Sequence, residues 1–144
     1  MSSMPSIKSR EITIGPEIPI SKTLKFWEGL RQGKIYATKC ENCGKLNFPP
    51  AAECPECLSN QVEWIELGNE AEVETFTHIV VRPTTFQQYK PYTVAIGRVK
   101  EGVRVLAWLN GLKLSEIKIG MKVKLVAGVT PEGNPTYEFF PLEP

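Results

Sequence analysis

The 144-residue chain has one histidine, four cysteines and three tryptophans, and no apolar run near the ~20 residues needed to span a bilayer. His78 has no serine or cysteine nearby in sequence to form a nucleophile–base pair, so a hydrogen-bonded strand residue is the expected role. A GxSxG motif, a phosphate-cradling glycine loop and a pair of close carboxylates are all missing, which speaks against an enzyme. Charge of one sign is missing too: 17 basic and 16 acidic residues leave a formal net charge of +1. Dedicated nucleic-acid binders carry a basic excess because counterion release drives their affinity, so nucleic acid is disfavoured as a partner. The opening stretch, MSSMPSIKSREITIG, lacks the continuous apolar core and small-residue cleavage site of a secretory signal. Without such a signal, four cysteines point to metal rather than disulfides, and a cytoplasmic protein with no membrane attachment is expected.

What is there is an ordinary globular balance, 42% hydrophobic and 23% charged. The length allows one medium domain or two small ones, and the smaller of two would need a staple beyond its core. Three segments emerge. Residues 1–33 read as an arm and a helix, residues 34–68 carry all the cysteines, and residues 69–144 alternate strands with turns.

In the arm, Ile12, Ile14, Ile18 and Ile20 alternate with polar residues or proline, and Pro16 and Pro19 exclude a helix. An extended segment lying against the rest of the protein is expected. SKTLKFWEGLRQG, residues 21–33, reads as an amphipathic helix capped by Ser21 and stopped at Gly33. Leu24, Trp27 and Leu30 or Arg31 fall on one face, with Phe26 off it, so contact with two surfaces is expected of this helix. Short strands are expected near 35–38, 46–48 and 62–65. Longer ones follow at 71–81, 92–100, 102–109, 121–129 and 136–141. Glu101-Gly102 marks one hairpin and Pro131 to Pro135 another, and Leu114 to Gly120 is a short helical or turn segment. Five strands with a helical insertion after the third match a five-stranded OB-fold barrel; the strand count also allows an SH3-like barrel.

Cys40, Cys43, Cys54 and Cys57 form two C-x2-C pairs, written CENCG and CPEC, ten residues apart. Two residues between cysteines let both thiolates face one ion from a tight knuckle. Gly44 supplies a positive φ and Pro55 stiffens the second knuckle. Four thiolates and no open ligand position suit one structural zinc rather than a catalytic metal. The same knuckles resemble rubredoxin, so iron and electron transfer is the alternative.

The run FWEGLRQGKIYATKCENCGKLNFPPAAECPECLSNQVEWIEL, followed by KPYTVAIGRV, EGVRVLAWL and LSEIKIGMKVKLV, resembles one family over residues 22–142. It is the family of acyl-CoA-associated proteins with a rubredoxin-like zinc ribbon and an OB-fold. The resemblance implies a mainly β protein: an N-terminal arm and helix, the ribbon, then the barrel. It also implies a non-catalytic scaffold for a thiolase-like protein, and in the archaeal type for acetoacetyl-CoA thiolase and hydroxymethylglutaryl-CoA synthase of the mevalonate pathway. Acyl-CoA or CoA is the implied ligand.

A CoA site needs cations for phosphates, an aromatic surface for adenine and a channel for pantetheine. RPTTFQQYKPY, between the first two barrel strands, offers Arg82 and Lys90 for phosphates and Phe86, Tyr89 and Tyr92 for stacking or lining. Each also has a plain role: the cations as solvated loop charges, Tyr92 as a strand-start core residue. Lys39, Lys45 and Phe48 are alternatives beside the metal, and Trp64 and Trp108 are expected in the core. The competing class is a nucleic-acid-binding module, since ribbons and OB-folds both serve that purpose.

Overall fold

The computed structural model describes residues 4–142. No helix in it is long and apolar enough to cross a membrane. Two β units follow one another in the chain, and one helix that precedes them packs against both. The first is a three-stranded antiparallel sheet of β1 (Tyr36–Cys40), β2 (Leu46–Asn47) and β3 (Val62–Glu66), in the order β2-β1-β3. The second is a closed barrel of β4 (Glu70–Ile79), β5 (Tyr92–Val99), β6 (Arg104–Leu109), β7 (Lys122–Val129) and β8 (Pro135–Pro141).

Around the barrel the order is β4-β5-β6-β8-β7, closing back on β4. All neighbours are antiparallel except β6 and β8, which meet in parallel at Leu109 and Phe139. This is the Greek-key closure of an OB-fold. Alternation fills it: Val105, Ala107 and Leu109 of β6, Val123 and Leu125 of β7, and Phe139 of β8 point inward and are buried. Gly97 on β5 makes room for Phe139, since a Cβ there would lie 2.8 Å from the ring.

β4 changes its inward face midway. Ala71 and Val73 are buried, the register then shifts between Val73 and Thr75, and Phe76 joins the core beyond the shift. A bulge adds one residue to one strand and so swaps the faces that follow. Glu74 at the bulge pairs with Arg98 at 2.6 Å and Arg104 at 2.7 Å. Both expected hairpins form, with Gly102 (φ 101°) and Gly133 (φ 89°) supplying the left-handed residue each turn requires. Leu114–Glu116 is a single 3-10 turn, and Gly120 (φ 88°) ends the segment.

The helix differs from its sequence-based outline. Ser21–Thr23 is a 3-10 turn running into α1 (Leu24–Arg31), and no side chain caps either element. The buried face is Phe26, Gly29 and Leu30, while Leu24 is exposed and Trp27 half-buried. Gly29 sits against the Tyr36 ring, where a Cβ would be 2.8 Å away, so α1 lies close on β1. Phe26 then reaches across both units, 6.0 Å from the Phe48 ring and 6.0 Å from Tyr137 of β8, which are themselves 5.4 Å apart. All three contacts are edge-to-face, the favourable arrangement for aromatic pairs.

The arm also departs from expectation. Residues 4–20 form no helix or strand, and they do not lie against the body: Ile7, Ile12, Ile14 and Ile18 are 72–99% exposed. Prolines at 16 and 19 withhold ladder donors, and the barrel is closed, so it offers the arm no free edge. Val80 and Val81, expected to end the first barrel strand, lie beyond β4 and are exposed.

Candidate metal centre and ligand groove

Two copies of one turn bring the four cysteines together. In the first, Cys40 at the end of β1 accepts from the Gly44 N–H (2.9 Å) through its carbonyl and donates its own N–H to the Lys45 carbonyl (2.8 Å). In the second, the Cys54 carbonyl accepts from Leu58 (2.8 Å) and its N–H donates to Ser59 (2.9 Å). Thr38, fully buried on β1, exchanges two 3.0 Å hydrogen bonds with the Ala51 backbone and so ties the intervening loop to the sheet. The exposed Lys45–Glu56 pair, at 2.8 Å, links the knuckles on the outside.

The four Sγ atoms all lie within 4.8 Å of one another, with Cys40–Cys57 and Cys43–Cys54 at 3.5 Å. Thiolates on a tetrahedron of ~2.3 Å radius stand about 3.8 Å apart, so one zinc ion fits this set. Cys40 and Cys54 are buried and Cys43 and Cys57 are exposed. The Cys43 N–H points at Cys40 Sγ (3.4 Å), as a donor to a thiolate would.

The thiols differ in acidity when no metal is bound. The Asn42 side chain, then the Ser59 backbone, hold Cys57 down to about 6. The Cys57 backbone N–H lowers Cys54. At Cys43 the Lys45 N–H pulls downward, but interactions with the other three thiols and desolvation push the group up to about 12. A metal ion must therefore displace a proton from Cys43 at neutral pH.

The second candidate site lies on the outer face of the barrel. Leu106 and Trp108 of β6, Val126 and Gly128 of β7, and Thr136 and Glu138 of β8 line a groove of about 740 Å³. Trp27 of α1 borders it, as do Phe86 and Tyr89 from the loop between β4 and β5. Among the described residues Glu138 is the only formally charged side chain in its lining, and it accepts from Asn110 Nδ2 at 3.0 Å. The Tyr89 hydroxyl donates to the Glu132 carboxylate on the β7–β8 hairpin, joining two OB-fold loops at the ligand-binding side of the fold. That bond raises the Tyr89 hydroxyl and lowers the Glu132 carboxyl from their ordinary values.

A smaller pocket of about 240 Å³, holding His78, Lys90 and Asn110, shares Tyr89 and Trp108 with the groove. His78 Nδ1 and Thr93 Oγ1 are 2.9 Å apart, the hydrogen-bonded strand role expected for it.

Of the five loop residues singled out in the sequence, four gather here. Phe86 lies 5.8 Å from Tyr89 and 6.3 Å from Tyr92, and Lys90 lines the smaller pocket. Arg82 stays apart: its guanidinium faces Gln87 of its own loop (3.4 Å), and Gln87 donates back to its carbonyl. Trp108, expected in the core, is half-buried instead and stacks flat on Tyr92, 4.2 Å between centroids and 14° between planes. Alternation carried the signal, because Val105, Ala107 and Leu109 face inward and Trp108 must face out. Lys39 is exposed, and Phe48 faces Phe26 rather than the metal.

A four-cysteine ribbon followed directly by an OB-fold, with one helix packed on both, defines the class as a zinc-ribbon OB-fold protein. Residues 27–63 match the family model "ChsH2, rubredoxin-like zinc ribbon domain", and residues 64–128 match "ChsH2, C-terminal OB-fold domain". The chain belongs to the DUF35 family. A DUF35 domain-containing scaffold protein of Pyrococcus furiosus is 37% identical over 103 residues, covering 71% of this chain and 75% of the relative. Its counterpart in Methanocaldococcus jannaschii is 31% identical over 131 residues, covering 83% and 91%. A more distant relative, the benzoylsuccinyl-CoA thiolase subunit BbsA of Thauera aromatica, is 26% identical over 73 residues, 51% of this chain and 49% of the relative. Among solved structures, a chain of an Ltp2-ChsH2(DUF35) aldolase superposes with a TM-score of 0.73 at 27% identity, over 88% of this chain and 98% of that one.

Proposed function

We propose that this protein is a non-catalytic scaffold that holds one structural zinc, docks on a thiolase-type enzyme and binds the acyl-CoA passing through it. The carrying observation is a pair of unlike spaces with two lining residues in common. Tyr89 and Trp108 line both the pocket at Lys90 and the apolar groove. A CoA thioester has the same asymmetry: an anionic nucleotide at one end and an amide-bearing arm with an acyl group at the other. Lys90 would meet a phosphate, Phe86, Tyr89 and Tyr92 would offer the aromatic surface, and the groove would take the arm. Arg82 would have to leave Gln87 to contribute.

The relatives support the docking half, since one is named a thiolase subunit and another belongs to an aldolase complex. Acetoacetyl-CoA thiolase is the proposed partner, with hydroxymethylglutaryl-CoA synthase as the second enzyme held by the same scaffold in the cytoplasm. The exposed isoleucines of the arm, together with α1, would form the docking surface, because apolar residues that nothing covers mark interaction sites. Single-stranded nucleic acid also stacks on OB-fold aromatics, but it needs a cationic track that this groove lacks.

Purification from the protein's own cells at moderate salt tests the proposal. Co-elution of a thiolase in near-equal amount is expected, and deletion of residues 1–20 should weaken it. Elution with nucleic acid, or full coupled activity of thiolase and synthase without this chain, would sink it.

A further inference from the structure

Gly128 has no structural reason to be glycine. It is the last residue but one of β7, paired with Thr136, its φ is not in the left-handed region, and a Cβ built there meets nothing within 4 Å. Gly97 and Gly29 are different, for a side chain at either would strike an aromatic ring at 2.8 Å. A glycine in a strand packs nothing against its neighbours, and it often marks a place where a ligand or another backbone comes close. The space in front of Gly128 is the groove. Val126 on the same strand face, Thr136 opposite, and Leu106 and Trp108 on β6 border it.

We infer that the groove over Gly128 receives the acyl chain of the CoA thioester, and that Gly128 sets the length of chain admitted. This rests on the acyl-CoA reading above and goes further by naming the class of acyl group. A space of about 740 Å³ falls in the range of whole small-molecule sites, roughly 300–1,000 Å³. A two-carbon acyl group would leave its apolar walls wet. An alkyl chain covers them, and each buried methylene strengthens binding by about fourfold at most. Polarity gives the direction. Glu138, the one charged group of the groove among the described residues, repels phosphate, so the nucleotide lies toward Lys90 and the chain runs past Trp108 to Gly128. Phe86 and Tyr89 flank the entry, and Trp27 bounds the groove from the α1 side.

The test is titration of the full-length protein with acetyl-CoA and octanoyl-CoA, followed by tryptophan fluorescence and calorimetry. The native chain should bind octanoyl-CoA at least about tenfold more tightly, less than the full methylene sum because the groove is open to solvent. Gly128→Leu should erase that preference by weakening octanoyl-CoA binding at least about tenfold more than acetyl-CoA binding, with Gly128→Ala in between. Thr136→Leu, across the ladder on the same face, should act as Gly128→Leu does and serves if that variant fails to fold. Equal affinity of the native protein for the two thioesters overturns the inference while the acyl-CoA reading stands. No binding of either thioester removes both. If Gly128→Leu leaves both affinities unchanged and abolishes enzyme co-purification, a polypeptide fills the groove and the inference is wrong.

Discussion

Gly44 and Leu58 occupy the same place in two copies of one turn, each four residues after the first cysteine of its pair and each in the left-handed region, at φ 79° and 63°. Each donates its N–H to the carbonyl of that cysteine. Glycine adopts this conformation freely, whereas a residue with a Cβ is strained there by roughly 1–2 kcal/mol. Leu58 is 80% exposed, so its side chain repays little by packing. Leu58→Gly should therefore stabilise the metal-loaded protein by about 0.5–1 kcal/mol after the greater chain entropy of glycine is deducted. The denaturant midpoint checks this, and a fall in midpoint would mean that Leu58 packs on something in solution.

Metal content should be one ion per chain, and its retention should depend on pH. Binding needs four thiolates, so protons compete with the metal. The depressed Cys57 value means that its thiolate contribution is fully present above the ordinary thiol range and is lost as pH falls through about 6. The raised Cys43 value means that its proton must leave whenever metal enters. Against a fixed concentration of chelator, metal retention should drop between about pH 8 and pH 5. Hydrogen exchange of the stripped protein should show lost protection at residues 36–66 and a surviving barrel, because Val105, Leu125 and Phe139 are buried within the barrel itself. Collapse of both units together would show that the barrel depends on the metal.

Phe26→Ala should cost about 3–5 kcal/mol, the usual loss for a buried phenylalanine. Its ring packs edge-on against both Phe48 of the ribbon and Tyr137 of the barrel. The same change should lower cooperativity, seen as separate transitions for Trp64 and Trp108 fluorescence when each is the only tryptophan left. A single transition with a small loss would place the coupling elsewhere.

Tyr89→Phe removes the bond to Glu132 and keeps the ring. Amides at residues 84–90 should exchange faster, while the thermal midpoint moves little, because both groups lie on exposed loops. Acid should act in the same way. Glu132 is held below its ordinary 4.5 by the Tyr89 hydroxyl, so the bond persists at that pH and opens only as pH falls through the lowered value. An exchange rate at residues 84–90 that is unchanged in Tyr89→Phe would show that the aromatic contacts alone hold the loop.

The metal centre was legible from four letters and their spacing, because C-x2-C permits only a knuckle and the ion needs four ligands. Strands β4 to β8 were legible for a similar reason: period-2 alternation and the glycines at 102, 120 and 133 act locally. The aromatic loop residues could be singled out as a group, since Phe86, Tyr89 and Tyr92 lie within seven positions. Its extra member Trp108 comes from another strand, where only inward–outward parity distinguishes it from the core.

Local pattern could not reach relationships between distant elements. The helix stripe read from 3.6-residue periodicity put Leu24 inside and gave Phe26 only a second surface, but ribbon and barrel approach from the Phe26 side and leave Leu24 exposed. The isoleucine arm looked like a strand, and alternation alone does not supply an edge to pair with. Gly128 reads as any strand glycine until β6 and β8 are placed beside it and the space before it proves empty. Chemistry fixed by neighbours in sequence, the metal ligands and the turns, was therefore determined by the chain itself. The groove, the bond between Tyr89 and Glu132 and the three-ring joint at Phe26 were decided only by packing, because each depends on residues brought together from different elements.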